Sequence, residues 1–244
     1  MMMFLRSLLF DLWLYGSMVV MGLIFAPFAI ASRAGASWSM KLYCRQALWM
    51  LEKICGVAVE IRGAPPEGAA LIAAKHQSFL DILIMMKIAP EPRFVMKRSL
   101  IYAPVLGLYA LRLGVAPVDR AKGAQAIKDL SRRLSDPKDP NRQIIIYPQG
   151  TRLPPGAVAP YRRGVALLYA REPGGCVPVA TNSGLFWGRR SILKRPGVAV
   201  MSFLDPIPPG LKRTEFMERL EREIETASDA LLREAERRAE TPTS

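Results

Sequence analysis

Seven short apolar runs, several rich in valine and isoleucine, punctuate the chain between residues 57 and 204, with longer mixed stretches between most of them. They are VAVEI at 57–61, ALIAA at 70–74, RFVMK at 93–97, GVAPV at 114–118, QIIIYP at 143–148, CVPVAT at 176–181 and VAVMSFL at 198–204. Residues 79–88, 103–112, 122–134 and 162–171 read as helices. Strands interleaved with helices build a sheet whose faces the helices cover, since parallel pairing needs a long crossover. The expected fold is α/β, a mostly parallel central sheet flanked by helices with N-terminal membrane-associated helices before it. A β-barrel or a helical bundle does not fit this order. From 213 to 239, Phe216, Leu220, Ile224, Ala227 and Leu231 form one apolar stripe on a charged helix, the pattern of a helix lying on the sheet. SDPKDPNR at 135–142 reads as a surface connection. At 244 residues the chain can bury a sizeable core as one domain or as a compact domain with appendages. The expected division is an N-terminal helical segment at 1–55, an α/β domain at 56–239 and a short tail at 240–244.

The N-terminal segment carries its own constraint. LWLYGSMVVMGLIFAPFAIA, from Leu12 to Ala31, holds 20 residues without a charge, about the length needed to cross roughly 30 Å of hydrocarbon. It predicts a membrane helix or a re-entrant hairpin, with a buried helix of a soluble domain as an alternative. A secretory signal peptide is the rival, with AIASRA as its cleavage region; Asp11, Trp13, Tyr15, Pro27 and the length of the run favour an anchored element. The following SWSMKLYCRQALWMLEKIC mixes Trp38 and Trp49 with Lys41, Arg45 and Lys53, which suits a helix at the membrane interface or one packed on the domain. Arg6 and the basic residues at 33, 41 and 45 flank the apolar run on both sides, so charge bias sets no orientation for a single span. Attachment from one side is the alternative.

A formal net charge of +13 demands anionic partners: nucleic acid, anionic headgroups or a phosphorylated substrate. Nucleic acid is not expected, because no recognised reader motif is present and the N-terminal apolar run has no task in such a protein. Three cysteines without paired spacing give neither a disulfide framework nor a zinc cluster.

The only histidine, His76, stands where the ALIAA run ends and the SFLDILIMMKI helix begins. Ser78 is placed as a cap and Asp81 as the capping-box acid, so helix chemistry alone accounts for the carboxylate. It does not account for His76. Within a continuous helix residues five apart diverge by about 140°, whereas a bend before the helix lets Asp81 reach back to the imidazole. A carboxylate on one ring nitrogen would fix the tautomer and aim the other nitrogen at a hydroxyl as a general base. A structural histidine is the alternative. Ser78 as a nucleophile is disfavoured, because no G-x-S-x-G elbow is present.

Two further runs empty into polar turns. IIIYPQGTRLPPG at 144–156 delivers Gln149, Gly150, Thr151 and Arg152, whose donors suit a phosphate or make an ordinary turn. GVAPVDR at 114–120 delivers Asp119 and Arg120, and Pro178 within CVPVAT is a shape residue or a strand-edge breaker. Open α/β sheets bind ligands at their carboxyl edges, where these turns would meet.

The run from His76 to Asp81 resembles the histidine, four residues, aspartate motif of the glycerolipid acyltransferase family. Gly114 to Arg120 resembles its second block, Gln149-Gly150-Thr151-Arg152 its third and Val177-Pro178-Val179 its fourth. The order and spacing are most like those of the bacterial 1-acyl-sn-glycerol-3-phosphate acyltransferases. The resemblance implies transfer of a fatty acyl group from acyl-CoA or acyl-carrier protein to lysophosphatidate, forming phosphatidic acid at the cytoplasmic face of a bacterial inner membrane. It makes His76 the base that deprotonates the acceptor hydroxyl, with Asp81 orienting it. Gly150, Thr151 and Arg152 would hold the acceptor phosphate, Arg120 would add positive field and Pro178 would shape the pocket. It implies no metal and no redox cofactor. Two positions depart from the family pattern: Lys75 stands where asparagine often precedes the histidine, and Gln149 replaces the more frequent glutamate. Other lyso-lipids, lyso-ornithine lipid among them, remain alternative acceptors, and a non-catalytic protein binding anionic lipid remains an alternative of a different class.

Overall fold

The computed structural model describes residues 1–118 and 142–240. The expected helix at 122–134, most of the 135–142 connection, Asp119, Arg120 and all but the first residue of the tail lie outside the described residues.

The expected strands form, in chain order, β1 (Val57–Arg62), β2 (Ala70–Ala74), β3 (Pro92–Lys97), β4 (Ala116–Val118), β5 (Gln143–Ile146), β6 (Cys176–Thr181) and β7 (Gly197–Phe203). They make one sheet in the order β1-β7-β6-β2-β5-β3-β4. Every neighbouring pair is parallel except β6 with β7, so β7 and β1 run against the other five. The central strands β2, β5 and β6 are buried along their whole length, which is why they read as unbroken apolar runs. Their alternate side chains divide between two cores. Ile72, Ile145, Val177 and Val179 face one cluster; Leu71, Ala73, Ile144 and Ile146 face the other. The first is covered by α4 (Leu80–Ile88) and by the N-terminal helices. The second lies beneath α6 (Gly164–Tyr169) and the long C-terminal helix α7 (Arg213–Glu240), whose Phe216, Leu220 and Ile224 are fully buried. The expected stripe on α7 therefore does pack on the sheet. The helix expected at 103–112 is shorter, α5 at Leu106–Arg112, and follows a 3-10 turn at Arg98–Tyr102.

The N-terminal apolar run is not one helix. Helix α1 (Met2–Ile24) starts well before it and stops at Phe25; α2 (Ala26–Ala31) begins with Pro27 in its first turn. Proline has no N–H and its ring clashes with the carbonyl four residues back, here Leu23, so α1 cannot continue through it. Ser32 then caps α3 (Arg33–Cys55), accepting the Gly35 N–H at 2.9 Å, and Gly56 ends α3 in the left-handed conformation at φ 70°. Helix α3 returns antiparallel to α1: the Tyr43 hydroxyl donates to the Leu14 carbonyl at 3.0 Å, and Cys55 lies against the Arg6 carbonyl. One face of this hairpin joins the core through Phe10, Leu14, Leu48 and Leu51. Lys194, in the loop before β7, ion-pairs with Asp11 and donates its backbone N–H to Ser7 Oγ at 2.9 Å. The opposite face leaves Leu5, Leu9, Leu12, Val20, Leu23, Phe28, Trp38 and Trp49 exposed. Among the described residues α1 is the one helix long and apolar enough to cross a membrane by length and composition.

Candidate active site

Strands β6, β2 and β5 lie side by side and run in the same direction, so the turns leaving them meet at one carboxyl edge. β2 delivers His76. The chain bends before α4, and Asp81 reaches back to the imidazole: its Oδ2 lies 3.0 Å from His76 Nδ1 and accepts the backbone N–H groups of Gln77 and Ser78 at 2.8 Å each. Oδ1 accepts the hydroxyl of Ser183, two residues past the end of β6. Asp81 is fully buried, yet four donors satisfy its carboxylate. The hydrogen bond assigns the proton to Nδ1 and leaves the Nε2 lone pair as the basic position. Ser78 is fully buried and its Oγ accepts the Leu80 N–H at 3.0 Å, but the N-cap of α4 is Phe79, which makes no side-chain cap bond, so the expected serine cap lies one residue before the observed one.

The imidazole stacks on Tyr147, at the exit of β5, with ring centroids 3.9 Å apart and planes 20° from parallel. Burial, and secondarily the charge of Asp81, pushes the Tyr147 phenol well above its ordinary range, so the ring is a neutral platform. The same turn continues to Gly150, at φ 70°, where an added Cβ would meet Arg162 Nε at 2.6 Å. Thr151 and Arg152 follow, both half-buried. The turn is tied to the histidine by the Leu153 N–H, which donates to the His76 carbonyl at 2.9 Å, and Arg189 donates to the Arg152 carbonyl at 3.2 Å. His76, Asp81 and the Gly150–Arg152 turn thus share one edge of the sheet. Pro178 is buried in β6, in register with Ala73 of β2. It sits in an interior strand rather than at an edge, just before the pairing with β7 begins at Val179, where a missing N–H interrupts the ladder least.

Sequence reasoning missed Ser183 and Tyr147 as partners of the pair. A hydroxyl just past a strand at the expected carboxyl edge was the available signal for the first; an aromatic residue before the polar turn was the signal for the second. Among the described residues no group of three or more His, Cys, Asp or Glu side chains could hold a metal ion. Cys176 is fully buried at the opposite, amino end of β6, and burial holds its thiol above the ordinary range, which makes it inert.

A buried carboxylate orienting a histidine at the carboxyl edge of an open sheet, beside a turn rich in donors, defines an α/β protein equipped for proton abstraction from a hydroxyl. Comparison with known proteins narrows that class. The acyltransferase family matches residues 57–182, just over half of the chain, and the chain belongs to that family. The 1-acyl-sn-glycerol-3-phosphate acyltransferase of Pseudomonas aeruginosa is 29% identical over 196 residues, covering 79% of this chain and 76% of that protein. The alpha form from Ovis aries is 30% identical over 174 residues, 69% of this chain and 61% of its own length. The crystal structure of the 1-acyl-sn-glycerophosphate (LPA) acyltransferase PlsC from Thermotoga maritima shares the fold with a TM-score of 0.77 and 19% identity, over 93% of this chain and 96% of that one.

Proposed function

We propose that the protein transfers a fatty acyl group from acyl-CoA or acyl-carrier protein to the sn-2 hydroxyl of lysophosphatidate, forming phosphatidic acid. The observation that carries this reading is the His76–Asp81 pair at 3.0 Å beside the Gly150–Arg152 turn, in a chain whose relatives include named 1-acyl-sn-glycerol-3-phosphate acyltransferases. His76 Nε2 takes the proton from the acceptor hydroxyl, and the oxygen attacks the thioester carbonyl directly. The tetrahedral intermediate collapses by breaking the carbon–sulfur bond, and the imidazolium returns its proton to the departing thiolate. Asp81 keeps the Nδ1–H hydrogen bond throughout, orienting the neutral ring and stabilising the imidazolium. Gly150, Thr151 and Arg152 hold the acceptor phosphate, Arg120 adds positive field and Pro178 shapes the pocket wall.

In this reading residues 1–55 hold the enzyme at the bilayer and residues 56–239 carry the chemistry at the cytoplasmic face of a bacterial inner membrane. The exposed apolar face of the hairpin supports attachment from one side, with the tail of the lipid acceptor staying in the bilayer. The test is an acceptor panel: detergent-purified protein with acyl-CoA and acyl-carrier protein, offered lysophosphatidate, lyso-ornithine lipid and other phosphate-free lyso-lipids. The expected product is phosphatidate, at a rate at least about tenfold above the others, the value of one charge-assisted contact. Faster acylation of a phosphate-free acceptor moves the substrate and leaves the chemistry.

A further inference from the structure

On the face of the sheet that α7 covers, a second polar cluster lies directly behind the two site turns. Lys75, only 2% exposed, precedes His76; its ammonium ion-pairs with the Glu225 carboxylate and donates to the Ala157 carbonyl at 3.3 Å. The other oxygen of Glu225 accepts from the Gln149 side-chain amide at 3.1 Å and from the Tyr161 hydroxyl at 2.8 Å. Gln149, 4% exposed, precedes Gly150. We propose that Glu225 is a positioning residue that sets the spacing between His76 and the Gly150–Arg152 turn, a role that rests on the acyl-transfer reading of that site.

The paired register of β2 and β5 stops at Ala73 and Ile146. Past that point one backbone bond, from the Leu153 N–H to the His76 carbonyl, links the two turns. Glu225 adds a side-chain bridge with one end on each: Lys75 through Oε2 and Gln149 through Oε1. A buried ammonium requires a partner charge, so the bridge cannot relax without exposing or stranding Lys75. Burial and the Glu225 charge hold the Tyr161 phenol above its ordinary range, so Tyr161 is a neutral donor to that carboxylate. The cluster also gives a reason for both departures from the family pattern. With a carboxylate supplied by α7, a glutamate at 149 would bring a second one within about the 3.1 Å of the present contact, and the amide avoids that repulsion while Lys75 neutralises Glu225.

The test exploits charge relocation and the single histidine. Gln149→Glu puts two carboxylates in contact; Gln149→Glu with Glu225→Gln moves one charge from helix to turn and keeps the cluster neutral. In the single variant KM for lysophosphatidate rises about tenfold while KM for the acyl donor stays within about twofold, and the double variant recovers to within about threefold of the parent. In 15N-histidine-labelled protein the lone imidazole signal pair moves in the single variant and returns in the double. Should Gln149→Glu fail to fold, Tyr161→Phe, which removes one bond to Glu225, moves the same signals. Unshifted signals with an unchanged acceptor KM, or a double variant no better than the single, overturn the proposal. If the parent protein acylates no lysophosphatidate, the functional reading fails, and the imidazole signals decide the positioning role alone.

Discussion

Asp81 receives four donors, and the one from Ser183 arrives from 102 residues away. Removing it tests whether the carboxylate must be held on both oxygens. Ser183→Ala leaves Oδ1 buried without that donor, at a cost of about 1–3 kcal/mol. Activity is expected to fall roughly tenfold, mostly in kcat, with the His76–Asp81 contact retained; steady-state kinetics beside a thermal melt check it. Unchanged kcat would show that the backbone N–H groups hold Asp81 without help. The contrast between these residues explains what the sequence made legible. His76 and Asp81 are five apart, within one bend, so local geometry suffices to join them. Ser183 and Tyr147 carried a local signal only as residues at a strand exit, and their pairing with His76 and Asp81, like that of Glu225 with Lys75 and Gln149, comes from strand order and helix docking, which local spacing does not encode. Arg120 was equally legible as a basic residue at a strand end, but it lies outside the described residues.

At the scale of elements, the strands were readable because each is a short apolar run bounded by turn residues, and α7 because its stripe keeps helical spacing. The N-terminal run misled as to its ends: absence of charge marks hydrophobicity, while the helix boundaries obey Pro27 and extend back through Arg6 and Asp11. Partner choice between elements was also invisible. Nothing in the VAVEI run announces that Arg62 at its end grips α7, donating to both Glu234 oxygens at 2.7 Å. Hydrogen bonds from Arg62 hold both Glu60 and Glu234 below the usual carboxylate range. With folded values depressed, their contribution is present above the unfolded carboxylate value and is lost as pH falls through the lower folded values. Arg62→Met is expected to destabilise the protein by roughly 0.2–1 kcal/mol at neutral pH, measured by denaturant melts. The difference from the parent should shrink in acid. A difference that grows in acid would contradict the ion-pair account.

In the proposed function the whole molecule combines a sheet edge for chemistry with a helical hairpin for attachment. Charge alone did not choose among anionic partners; the apolar face of α1, locked to the domain by the Lys194–Asp11 pair, favours a lipid surface. Leu9 and Leu12 are 57% and 67% exposed. If they insert, Leu9→Lys with Leu12→Lys removes at least about 1.5 kcal/mol per leucine and lowers partitioning onto neutral vesicles roughly 100-fold, read by vesicle flotation. Unchanged flotation would assign attachment elsewhere. His76 as the base for direct acyl transfer to lysophosphatidate is the proposal on which the rest of the mechanism depends. Its most direct test is phosphatidate formation from radiolabelled acyl-CoA and from acyl-carrier protein by purified parent and His76→Ala proteins, matched for melting temperature. Removing the imidazole is expected to lower kcat by about 10²–10⁴-fold, and a folded His76→Ala protein that turns over at the parent rate would contradict that role.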